Sequence, residues 1–226
     1  MSTEKKAFFS EAKKQKTLMR LAAAVHDGAR PFLLACLLAG CAEMPAKPNI
    51  SDADAPEIAH IQDALNAMPR LEAHFVQSGD FGPGAGTLWL DRPGHLRIDY
   101  QGASSRVMVA NGGHLIVYDR ATHSTTTVSL SRTPLGMLLT PHIALSGPVT
   151  VTGLQRGDGF EQISLAKTAT PDQGALRLVF RTQPFALDSV TVVDAYHRSL
   201  TMTLSNLRLD PSITPQLFGA PGSANS

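Results

Sequence analysis

The sequence predicts a mainly β domain with helical cover (α+β): a long, strongly curved antiparallel sheet, closed into a barrel or half-barrel. Three observations carry this. From Leu71 onward the apolar residues recur with period two through eleven segments. The segments are joined by short turn-forming links, which force antiparallel neighbours. Two apolar stretches that do not follow period two, one before the strands and one in their middle, supply helices to lie on the apolar face.

The first of these runs from Glu57 to Met68, where Ile58, Ile61, Leu65 and Met68 share one helical face. Asp54 and Pro56 are start signals and Pro69 is a stop. The strands follow at about 71–77, 86–91, 95–100, 105–110, 114–118, 124–130, 149–155, 160–166, 175–181, 186–194 and 199–209. Leu96, Ile98 and Tyr100 alternate with Arg97, Asp99 and Gln101, so one side of each strand faces water. Along the last strand the apolar phase shifts between Leu204 and Leu207, which predicts a bulge near Ser205–Asn206. Gly82, Gly84 and Gly86 lead into a strand rather than a helix and form a hairpin loop, not a phosphate cradle. The second apolar stretch, Thr133 to Leu145, has Thr133 as N-cap, Pro134 at the first helical position and Pro141 as a limit. It makes one or two short helices that either complete the core or act as a lid.

The N-terminal part is an export address. Residues 1–41 carry seven basic and three acidic residues, a net +4. The apolar run Phe32 to Ala39 is far shorter than the roughly 20 residues that span a bilayer, and its flanks are those of a secretory signal. Leu38-Ala39-Gly40-Cys41 matches a bacterial lipobox, in which Cys41 is lipidated and becomes the mature N-terminus. The alternative is an ordinary signal peptide cleaved near Ala42. Met19 is a second start that leaves a more usual basic region. Residues 42–56, rich in Pro, Ala and acidic residues, read as a flexible tether, and 57–226 as one domain.

Composition excludes several functions. Residues 42–226 hold 13 basic and 16 acidic residues, a net −3, which gives no basic excess to neutralise the phosphates of a nucleic acid. They contain no cysteine, hence no disulfide, thiolate nucleophile or Cys-ligated zinc. The eight histidines are scattered, without H-E-x-x-H, and no G-x-S-x-G elbow occurs. The carboxylates form no readable catalytic pair. No metal, cofactor or catalytic residue is therefore assigned.

Four segments carry a family resemblance. Leu88-Trp89-Leu90-Asp91-Arg92-Pro93-Gly94-His95-Leu96-Arg97-Ile98-Asp99-Tyr100 resembles the LWL-x-RPG-x-LR-x-x-Y core of the LolA-type outer-membrane lipoprotein carriers. Leu71 to Gln77 is similar to that family's first strand with its F-x-Q ending. Val109 to Asp119 resembles its central hairpin, and Leu130 to Leu139 its "TPL…LL" lid. The match runs in order over 58–209.

The resemblance implies an incomplete barrel of eleven antiparallel strands with helices plugging its open side. It implies a monomeric periplasmic carrier whose cavity takes acyl chains of lipoproteins released by the inner-membrane LolCDE transporter and passed to an outer-membrane acceptor. Arg92 matches the family arginine, which implies hydrogen bonds to lid carbonyls that hold the empty form closed. Expected cavity residues are Phe75, Leu88, Leu90, Leu96, Ile98, Met137, Leu138, Leu139 and Ile143; which strand faces point inward stays open. His95 departs from the bulky or basic residue usual there and is expected to alter the cavity. A lipidated Cys41 is a second departure, because an anchored chain cannot shuttle and suits a LolB-like acceptor in the outer membrane instead.

Overall fold

The computed structural model describes residues 50–102 and 106–221. The export segment, Cys41 and the first part of the tether lie outside the described residues. The end of the tether is folded: Asp52–Asp54 form a 3-10 turn and helix α1 spans Ala55–Asn66. The helix starts two residues earlier than its apolar stripe requires because Asp54 is fixed from both sides. It accepts the Ser51 backbone N–H at 2.9 Å and an Arg156 guanidinium N–H at 2.9 Å.

Eleven strands follow: β1 Arg70–Gly79, β2 Gly84–Asp91, β3 His95–Tyr100, β4 Arg106–Asn111, β5 His114–Asp119, β6 Ser124–Ser129, β7 Val149–Gly157, β8 Phe160–Lys167, β9 Gly174–Thr182, β10 Phe185–Asp194 and β11 Ser199–Leu209. They form one antiparallel sheet ordered β6-β5-β4-β3-β2-β1-β11-β10-β9-β8-β7. β6 and β7 are its two edges, so the sheet is not closed. The β4–β5 connection is Gly112-Gly113 with φ of 57° and 79°, the left-handed pair that a tight hairpin needs. The anticipated bulge is at Asn206. Glu72 pairs with Arg208 while His74 pairs with Ser205, so β11 carries one residue more than β1, and Asn206 has φ 51°.

Register assigns the faces. Ala73 pairs with Leu88 and Leu88 with Ile98, while Leu71 pairs with Leu90 and Leu90 with Leu96. Together with Phe75, Leu165, Leu176, Leu178 and Phe180 they belong to one continuous apolar cluster. α1 lies on this inner face through Ile61 and Leu65, both buried. The stretch between β6 and β7 also covers it. It forms 3-10 turns at Leu130–Arg132 and Pro134–Leu138 rather than α-helices. Only six residues separate Pro134 from Pro141, too few for a stable α-helical nucleus.

The outer face has a smaller core that sequence periodicity did not reveal. Val107 and Val109 of β4 are buried against Phe218, with Trp89, Ile213 and Leu217 around them. The segment after β11 runs back over the sheet, ends in a 3-10 turn at Pro215–Phe218, and is tied down by Arg97 to the Leu217 carbonyl at 3.0 Å and Asn111 to the Phe218 carbonyl at 3.1 Å. His95 belongs to this outer face, where its ring stacks on Phe218 at 5.1 Å. That corrects the expectation that His95 shapes the cavity: it alternates with Leu96 and points away from the inner face.

Candidate functional site

The inner face and its cover are the site. Of the nine expected cavity residues, Phe75, Leu88, Leu96, Ile98, Met137, Leu139 and Ile143 are buried in the main cluster, and Leu90 and Leu138 are half-buried against it. The strand residues line the sheet; Met137, Leu139 and Ile143, with Leu145, come down onto it from the 130–148 cover. Leu165, Leu176, Leu178 and Phe180 complete the same surface from β8 and β9, at 1% exposure or less. These positions alternate as clearly as the named ones, so period two carried the signal; what was lacking was the strand order that brings β8 and β9 into one sheet, and one apolar cluster, with β1 to β3.

One polar pair sits within this apolar surface. The Tyr100 hydroxyl donates to Gln77 Oε1 at 2.5 Å, and Gln77 Nε2 donates to the Gly82 carbonyl at 2.9 Å. Burial pushes the Tyr100 phenol above its ordinary range, against the opposing influence of Arg106, whose guanidinium lies 5.4 Å from the ring centre. The pair closes the β1–β2 end of the inner face without leaving an orphan donor or acceptor.

Arg92 stands at the other end, in the turn between β2 and β3. It is buried at 9% exposure, and none of the ion pairs among the described residues involves it. Burial alone lowers its pKa from the ordinary guanidinium value. Its side chain does not reach the carbonyls of the 130–148 segment but those of α1, the other element lying on the inner face. Nη2 donates to the Leu65 carbonyl at 2.6 Å and lies 3.5 Å from the Asn66 carbonyl, Nη1 is 3.4 Å from Asn66 Oδ1, and the buried Nε has no partner. The expected bond from Arg92 to the lid is thus corrected to a bond with the C-terminal end of α1, where orphan carbonyls favour a cation.

The middle of the cover is held instead by Gly94 and by two side chains of α1. The Gly94 N–H donates to the Leu139 carbonyl at 2.8 Å. Asn66 exchanges two hydrogen bonds with the Ile143 backbone, and Gln62 accepts the Leu145 N–H. Sequence reading placed neither Gln62 nor Asn66 in the site, because on a helical wheel they read as the ordinary polar flank of the apolar stripe.

Among the described residues no three His, Cys, Asp or Glu side chains gather into a metal-binding group, and no helix is long and apolar enough to cross a membrane. What the arrangement offers chemically is a broad apolar surface under a cover made of one helix and short 3-10 turns.

Comparison with known proteins identifies the family. A search of curated proteins returns no match. Among solved structures, a DUF1329 family protein from Desulfovibrio piger is 12% identical with a TM-score of 0.47, over 72% of this chain and 95% of that one. A LolA superfamily protein from Nitrosomonas europaea is 9% identical with a TM-score of 0.42, over 74% and 97%. The lipoprotein LppX of Mycobacterium tuberculosis is 11% identical with a TM-score of 0.37, over 71% and 98%. The family described as outer membrane lipoprotein carrier protein LolA matches residues 67–220, from the end of α1 through the segment that straps the outer face. The chain belongs to the LolA family.

Proposed function

We propose that this chain is a periplasmic carrier, not an enzyme. It takes the acyl chains of lipoproteins released from the inner membrane by the LolCDE transporter onto its inner face and delivers them to the outer membrane or an acceptor there. The observation that supports this most is the cover: the apolar face of an unclosed sheet is shielded by a short 3-10 segment and one helix.

Magnitudes favour such an exchange. Met137, Leu139, Ile143 and Leu145 are buried in the closed form; at about 1.5–3 kcal/mol each they contribute roughly 6–12 kcal/mol. One acyl chain of roughly 16 carbons, at ~0.8 kcal/mol per CH₂, contributes about 13 kcal/mol. Two or three chains therefore displace the cover. The displaced side chains subtract from the net affinity, which keeps release to a bilayer feasible. Arg92→Leu should leave the fold intact and impair lipoprotein transfer, because the end of α1 loses its anchor; wild-type transfer rates in a reconstituted assay would contradict this.

Leu38-Ala39-Gly40-Cys41 favours a second reading, a LolB-like acceptor anchored to the outer membrane through Cys41. Mass spectrometry of the mature N-terminus separates the two. An acylated Cys41, with processing blocked by globomycin, supports the acceptor; an unmodified N-terminus near Ala42 supports the shuttle.

A further inference from the structure

The cover's backbone is completed by side chains of α1. Asn66 Oδ1 accepts the Ile143 N–H at 2.9 Å, and Asn66 Nδ2 donates to the Ile143 carbonyl at 2.9 Å. This two-point exchange is what a neighbouring β-strand makes with one residue of its partner. One helical turn earlier, on the same face, Gln62 Oε1 accepts the Leu145 N–H at 2.9 Å. Ile143 and Leu145 are 4% and 5% exposed, so these backbone groups would be orphaned without the two amides. Arg92, bonded to the Leu65 carbonyl and 3.4 Å from Asn66 Oδ1, fixes the end of the helix that presents the Asn66 amide.

We propose that Asn66 and Gln62 are the latch of the cover: positioning residues that set how readily residues 143–145 lift and hence how tightly the inner face takes an acyl chain. This rests on the acyl-binding reading above. The physical basis is where the hydrogen bonds go. Residues 143–145 borrow their partners from helix side chains, not from the sheet ladder, so they detach without breaking a strand pair. Once lifted, their N–H and carbonyl groups are satisfied by water. Arg92 then acts on the cover at second hand, through the orientation of Asn66. Truncating Asn66 leaves the Ile143 N–H and carbonyl unpaired only in the closed form, so it raises the open population. Apparent affinity scales with the fraction of binding-competent molecules, so the acyl ligand should bind more tightly, not less.

The test compares the purified full chain with Asn66→Ala, Asn66→Asp and Gln62→Ala in two measurements: amide hydrogen exchange residue by residue, and titration with a fluorescent anthroyloxy-stearate probe. In Asn66→Ala, exchange at Ile143 and Leu145 should accelerate about tenfold while β1 amides keep their rates, and the probe should bind about tenfold more tightly, the effect expected of leaving a buried polar group unpaired. Gln62→Ala should give a smaller shift in the same direction, first at Leu145. Asn66→Asp keeps the acceptor for the Ile143 N–H and faces Arg92, so exchange at Ile143 should stay slow. Unchanged exchange at 143 and 145 in both alanine variants overturns the latch. Faster exchange with unchanged or weaker probe binding overturns its control of the site. If even the wild-type chain takes up no probe, the acyl-binding reading fails, and the exchange rates still decide whether the latch exists. Should Asn66→Ala not fold, Gln62→Ala carries the same comparison.

Discussion

A single buried hydroxyl shows how the inner face tolerates polar groups. Tyr100→Phe would leave Gln77 Oε1 without its donor inside an apolar surface, at a cost of about 1–3 kcal/mol. Replacing both, as Gln77→Leu with Tyr100→Phe, should recover much of that loss, and chemical denaturation of the two variants checks it. The phenol also has a pH signature. Its pKa is raised in the folded chain by burial, so its contribution is intact below the unfolded value of about 10 and is lost as pH rises through the folded one. Alkaline unfolding should therefore include a component that Tyr100→Phe removes. Arg92 runs the other way. Burial without a carboxylate is costly for its charge, so Arg92→Leu should melt close to the wild-type temperature even though transfer falls. The importance of Arg92 was legible from the Arg-Pro-Gly turn, but its partners were not. They lie 26 and 27 residues away on a helix whose docking angle no local pattern states.

At the scale of elements, period two and the turn residues located every strand, with ends differing by a residue or two. The bulge at Asn206 was readable because a bulge must flip the apolar phase, and the phase flips in the sequence. The cover was readable as apolar but not as 3-10, since prolines limit its length without specifying which backbone fills it. One glycine shows how closely the strands are fitted. A Cβ on Gly86 would stand 2.0 Å from the Asp99 carbonyl oxygen and 3.0 Å from the Phe75 ring. The oxygen belongs to the neighbouring strand and cannot retreat without breaking the β2–β3 ladder. Gly86→Ala should cost more than about 4 kcal/mol, the size reserved for severe backbone or core disruption. Gly84→Ala meets side-chain atoms alone, two Tyr100 ring carbons at 3.1 and 3.2 Å and the Gln77 Cβ at 3.7 Å, and should be milder. Thermal melts of the two variants side by side check the difference.

Across the whole molecule, the decisive property is that the sheet does not close. A closed barrel would satisfy β6 and β7 against each other; here the chain between them crosses the inner face, supplies its own apolar side chains, and is held by Gly94, Asn66 and Gln62. The number of strands was visible in the sequence, whereas their order was not, because β1 pairs with β11 across the length of the domain. The outer core around Phe218 was hidden for the same reason: a short apolar segment after the last strand carries no period of its own. Incubating inner-membrane spheroplasts that hold a radiolabelled lipoprotein with the purified chain tests the central claim most directly. The account predicts that label leaves the spheroplasts in a complex with the chain. Label that stays membrane-bound at every concentration of the chain would contradict it.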